Sequence, residues 1–181
     1  MKAIVSGILA AAVLVLGGLS ARAQESLVVS GWSFSASLFG MELGYEKALF
    51  GSVSVVLRAG MPSVMVDYEK TTNNTDDSYS STLTVNFGPR PGFTVEPRLY
   101  TNLARRARFG LDKENNLADF ISLRAIIDTP DYERFSVSVT PMYGLRRGSR
   151  HWFREYTFGL GYHSLCTSLF PHLNFRLGYT F

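Results

Sequence analysis

The sequence predicts an all-β fold: an eight-stranded antiparallel transmembrane β-barrel, run as an up-and-down meander around a filled polar interior. Three observations predict it. Apolar and polar residues alternate with period two along most of the chain, the pattern of strands with two unlike faces. Only Ala3–Leu19 approaches the length of a membrane-crossing helix, so the remainder has only strands with which to cross. The chain finishes on Phe181, in phase with the apolar side of its last segment.

Composition sets the outer bounds. The 181 residues suit one domain. With 13% aromatic and only 18% charged residues, the chain is not of the disordered class. One cysteine excludes an intrachain disulfide and a cysteine-only metal cluster, and three scattered histidines are poor material for zinc. No cofactor or metal site is expected.

Residues 1–23 read as a secretory signal peptide. Lys2 supplies the positive end, Ala3–Leu19 the apolar stretch, and Ala21-Arg22-Ala23 the small-residue cleavage motif. At about 17 residues the run is at the short limit for a span. The domain is then 24–181. Removing Lys2 and Arg22 lowers the basic residues from 18 to 16, against 15 acidic ones. That near-neutral balance gives no electrostatic support for nucleic acid as a partner.

The expected strands are 26–37, 40–48, 51–67, 82–101, 117–127, 134–146, 152–163 and 172–181. The last is the clearest: Leu173, Phe175, Leu177, Tyr179 and Phe181 share one face, and Asn174, Arg176, Gly178 and Thr180 the other. Tyr156, Phe158, Leu160 and Tyr162 repeat the pattern, as do Val137, Val139, Tyr143 and Leu145. Ile121, Leu123, Ala125 and Ile127 oppose Phe120, Ser122 and Arg124. Pro89, Pro91 and Pro97 lack the ladder donor, so a bulge or kink is expected in 82–101. Near Phe39-Gly40 the apolar phase flips from even (Phe34, Ala36) to odd (Met41, Leu43, Tyr45). A turn there absorbs the flip and makes the strand count even, as in single-chain outer-membrane barrels.

Two connections are long. Residues 68–81 are polar, and parity puts them outside the cell. Their Asp76-Asp77 pair is a weak calcium hint beside the ordinary reading, a solvated loop. Residues 102–116 carry Arg105, Arg106 and Arg108, with Leu103 and Leu111 as apolar anchors. A helical turn or two is expected there, on the periplasmic side.

A soluble β-sandwich shares this alternation, with its apolar faces turned inward. Three features favour the barrel. Strands of about ten residues suit a tilted span. Aromatics fall near strand ends, as in interfacial girdles: Tyr45, Tyr100, Tyr143, Trp152, Tyr162 and Tyr179. The terminal strand, with Tyr179 and Phe181, has the form of the C-terminal signal read by the barrel-assembly machinery.

The segments VEPRLYTNLARRARFG, RHWFREYTFGLGYH and NFRLGYTF make the likeness specific. Glu96-Pro97-Arg98 leads into a basic turn from Tyr100 to Arg106. Gly148 through Tyr162 carries an aromatic and a glutamate before Gly-x-Gly-Tyr. The end reads Gly178-Tyr179-Thr180-Phe181. In these, over about residues 40–181, the chain resembles a family of small uncharacterised outer-membrane β-barrel proteins of Bacteroidetes-type Gram-negative bacteria. The resemblance implies fold and location and brings no catalytic residues.

If the polar faces meet inside, the lumen collects Glu42, Glu46, Glu96 and Glu155 with Arg58, Arg98, Arg124, Arg146 and Arg176. Eight strands enclose only enough room for side chains, so such charges must pair. Arginine suits this with its fixed bidentate fork. Glu96 and Arg98, on one strand face, are the pair expected at the centre.

The function expected is structural or surface-interacting, without catalysis, with outer-membrane lipid as partner and a periplasmic or surface partner left open. One alternative is a porin-like narrow ion or solute pore lined by mobile Arg–Glu pairs. Another is a lipid-modifying enzyme using His163-Ser164 and Glu155. Eight residues of strand separate His163 from Glu155, ~26 Å, far beyond hydrogen-bond reach. His151 is expected in an interfacial turn, and His172 at the start of the last strand. Arg105, Arg106 and Arg108, and Arg146, Arg147 and Arg150, form two basic clusters suited to anchoring at a membrane surface or to binding phosphate or a partner. Cys166 sits in an expected outer loop, either as a buried small residue or as a free thiol.

Overall fold

The computed structural model describes residues 26–37, 40–62, 91–110, 114–129, 136–163 and 169–181. Eight strands close into one antiparallel barrel in sequence order: β1 (Gly31–Ser37), β2 (Gly40–Phe50), β3 (Val53–Gly60), β4 (Gly92–Tyr100), β5 (Asp119–Asp128), β6 (Ser136–Ser149), β7 (Trp152–His163) and β8 (Leu169–Thr180). The seam is β1 against β8, from Ser33 opposite Thr180 to Ser37 opposite Arg176. Helix α1 (Leu103–Arg108) and a 3-10 turn (Glu114–Asn116) lie between β4 and β5.

The phase flip near Gly40 is the β1–β2 hairpin. Ser37 stands opposite Gly40, so even Phe34 faces odd Leu43 and both point outward. Two-residue turns follow at Gly51-Ser52, where Gly51 takes φ 49°, and at Arg150-His151. They shift two expected boundaries: β2 runs on to Phe50, and β6 runs on to Ser149. β8 starts at Leu169, three residues early. β1 starts late, at Gly31, because residues before it cross the barrel end. Leu27 donates its N–H to the Gly51 carbonyl, and Val29 exchanges two hydrogen bonds with the Asn116 side chain, each 2.8 Å.

Proline acts differently from the expected bulge. β4 begins directly after Pro91, at Gly92. Pro97 lies within β4, and the β4–β5 ladder opens there without a change of register: Val95 pairs with Ala125 and Arg98 with Ser122. Pro141 opens the β6–β7 ladder in the same way. The register shift lies elsewhere, in β2 at Ala48–Phe50. Residues 63–67, 82–90 and 134–135 of the expected strands lie outside the described residues, as do the expected signal peptide 1–23, loop 68–81, Leu111 and Cys166.

The two faces are chemically opposite. Trp32, Met41, Leu43, Leu99, Ile121, Leu123, Trp152, Leu160, Leu173 and Leu177 are all exposed on the outer wall. The interior holds arginines, glutamates, serines and threonines. Among the described residues, an apolar cluster of buried side chains lies at the end where β1 starts and β8 finishes, here the proximal end. There Val28, Tyr100, Leu103, Ala118 and Phe120 pack together with Leu27 and Ala48 against them. Residues 26–30 and the α1 segment thus close the proximal end.

A buried arginine–glutamate network

Strand alternation turns Glu42 and Glu46 (β2), Arg58 (β3), Glu96 and Arg98 (β4), Arg124 (β5), Arg146 (β6), Glu155 (β7) and Arg176 (β8) toward the barrel axis. None is more than 6% exposed, and Glu96 is 0%. Seven of the nine join in one network. Glu96 accepts from three arginines: Arg58 Nη1 at 2.7 Å, Arg98 Nε at 2.7 Å and Arg124 Nε at 2.9 Å. Glu155 Oε1 accepts from Arg98 Nη2 at 2.9 Å and from Arg176 Nη1 at 2.7 Å, and its Oε2 lies in ion-pair contact with Arg98 Nη1 at 2.8 Å. Arg176 also reaches Glu42 at 2.6 Å.

The remaining pair sits toward the proximal end. Arg146 Nη1 is 3.2 Å from Glu46, whose other oxygen accepts from the Ser54 hydroxyl at 2.6 Å and the Tyr100 phenol at 2.7 Å. Two inward phenylalanines complete the packing. The Arg98 guanidinium lies 4.0 Å from the Phe120 ring centre, and that of Arg146 lies 3.9 Å from Phe153. Such cation–π contacts are strongest where water is excluded. Each ring covers a glycine on a neighbouring strand: a Cβ on Gly144 would clash with the Phe120 ring, and one on Gly178 with the Phe153 ring.

Chemically, the arrangement holds rather than reacts. Glu155, the carboxylate considered for catalysis, is held by Arg98 and Arg176. Ser164 lies outside the described residues, as does the side chain of His163. His172 is in β8, facing the interior, with Nε2 3.3 Å from Arg124. Among the described residues, no group of three or more His, Cys, Asp or Glu side chains converges as metal ligands do.

Two aromatic placements differ from the sequence reading. Tyr100 is inside the barrel, 2% exposed, rather than in an outer girdle. Tyr143 lies mid-strand, since β6 extends six residues beyond it. Of the second basic cluster, Arg146 lies in the interior with the other lumen charges, leaving Arg147 and Arg150 at the rim. The proximal girdle consists of Trp32 on Tyr45 (4.9 Å between ring centres) and Trp152 on Tyr179 (5.2 Å), with Phe181 5.5 Å from Tyr179. Sequence reasoning set Phe120 on the face of Ser122 and Arg124 without giving it a role, and missed Phe153 and Tyr100 as interior groups. Their signal was parity: Phe120 is in phase with Arg124, Phe153 with Glu155, and Tyr100 with Arg98.

Compared with protein-family models, curated proteins and solved structures, the chain matches none.

Proposed function

We propose that the chain is an integral outer-membrane β-barrel protein with a structural or surface-interacting role and no catalytic activity. The observation that carries this is the inversion of the two faces: charged side chains are buried at the axis while large apolar ones are exposed all around the wall. In water, an apolar surface of this extent is a liability. In lipid it is the required exterior, and a closed sheet leaves no unpaired backbone edge there. The segment 1–23 acts as the export signal, and the final strand with Tyr179 and Phe181 serves as the element read by the barrel-assembly machinery. The resemblance to small outer-membrane barrels of Bacteroidetes-type bacteria supports the same location.

The buried network favours a structural interior over a conducting one. A water-filled lumen keeps its lining residues wet, whereas these nine are 0–6% exposed. The test is electrophoretic mobility of the protein from purified outer membranes, boiled against unboiled in SDS. A heat-dependent shift is expected. A soluble periplasmic protein with no shift would overturn the proposal.

A further inference from the structure

At the proximal rim, the register sets two arginines directly opposite one another, Arg147 on β6 and Arg154 on β7. Like charges in that position repel. Arg147 is drawn aside: its Nη1 lies 2.5 Å from Asp119 and 3.0 Å from the Arg146 carbonyl. Arg154 is exposed on the outer wall between Trp152 and Tyr156, with Leu177 opposite it on β8. Arg106 reaches the same place from α1. The three arginines line one groove of about 500 Å³, whose walls include Leu117, Trp152 and Leu177. Three basic groups and residues of the apolar wall thus share one concave surface.

We propose that Arg106, Arg147 and Arg154 bind the phosphodiester headgroup of an anionic phospholipid, with its acyl chains lying along Trp152 and Leu177. The inference rests on the membrane reading above. Guanidinium forks match phosphate oxygens in geometry and charge, and an anion between Arg147 and Arg154 removes their repulsion. With Asp119 included, the site carries a net charge of +2, so an anionic headgroup is preferred to a zwitterionic one. Rim arginines that only extend toward water do not need a groove.

The chain's two tryptophans, Trp32 and Trp152, both lie on the proximal outer wall, which gives an internal control. The protein is refolded into phosphatidylcholine vesicles containing a minor fraction of brominated phosphatidylglycerol, or of brominated phosphatidylcholine, and tryptophan quenching is read. In the Trp32→Phe protein, Trp152 is quenched more by the anionic lipid, with an apparent enrichment of about fivefold or more. Arg154→Gln, a change at an exposed position, brings the two lipids level. The Trp152→Phe protein, reporting from Trp32, shows no preference, and inorganic phosphate in the buffer leaves the Trp152 preference in place. Equal quenching of Trp152 by both lipids overturns the site while leaving the barrel in the membrane. Loss of the preference on adding phosphate overturns the lipid as the ligand. Absence of quenching by either lipid overturns the membrane reading, and the site with it.

Discussion

Arg98 on β4 grips the carboxylate of Glu155 on β7 with both terminal nitrogens, at 2.8 and 2.9 Å, while its Nε holds Glu96 at 2.7 Å. One guanidinium therefore ties together strands that are not neighbours in the sheet, with the Phe120 ring 4.0 Å away. The backbone ladder joins each strand only to the next. The interior network braces the barrel across its section.

Removing one carboxylate from that brace leaves guanidiniums buried without a counter-charge. Glu155→Gln is expected to cost about 3–5 kcal/mol, read as a lowered urea midpoint for unfolding from lipid vesicles. Arg98→Lys keeps the charge but loses the fork, so a smaller cost is expected. A silent Glu155→Gln would mean the interior is hydrated and the pairs are dispensable.

The outer wall responds to charge according to depth. Leu123→Arg, mid-strand in β5, is expected to cost about 2–4 kcal/mol in lipid, and Leu177→Arg, nearer the proximal rim, about 0–1 kcal/mol. Thr180→Val, at the inner rim, is mild. Equal tolerance of arginine at 123 and 177 in vesicle unfolding would contradict the assignment of the wall to lipid.

Space inside is as limited as charge. A methyl group at Gly144 would clash with the Phe120 ring, so Gly144→Ala displaces the ring that supports Arg98. Overpacking of this kind costs about 1–3 kcal/mol, measured by the same unfolding. Tyr100→Phe removes a 2.7 Å hydrogen bond to Glu46 and costs about 1.5–3 kcal/mol, the range for a bond to a charged group.

Arg150 adopts φ 50° in the β6–β7 turn, a left-handed conformation that costs an L-residue with a Cβ roughly 1–2 kcal/mol. Arg150→Gly relieves it. A raised urea midpoint is expected, and a lowered one would mean the arginine makes a contact worth more than the strain.

A filled interior and an apolar proximal plug predict electrical silence in planar bilayers. Reproducible unitary steps over a wide voltage range would contradict the structural reading of the network.

Much of this was legible in the sequence because strand parity is a local rule. Leu173, Phe175 and Leu177 declare the outer face without any knowledge of the neighbouring strands, and the flip between Phe34 and Met41 marks a hairpin. The same parity sets all nine interior charges toward the axis. It would have placed Tyr100 as well, had its phase with Arg98 outweighed its nearness to a strand end. What stayed hidden is non-local. The late start of β1 depends on Asn116 binding Val29 across 87 residues. The choice of partners within the network depends on barrel shear, which no single strand encodes. The opposition of Arg147 to Arg154 needs the length of the β6–β7 turn, and β6 runs three residues beyond its expected end.

The account turns on the apolar wall lying in lipid. The most direct measurement places single nitroxide labels at Leu123, Phe158 and Phe175, at the centres of β5, β7 and β8, and at Leu99 and Tyr179 near the strand ends, with Cys166→Ser as background. Collision with oxygen and with a water-soluble nickel complex is then read in vesicles. The account predicts that the central labels meet oxygen and exclude nickel, with nickel contact rising toward the ends. Free nickel access at all five positions would contradict it, and would leave a barrel whose apolar wall serves some other surface.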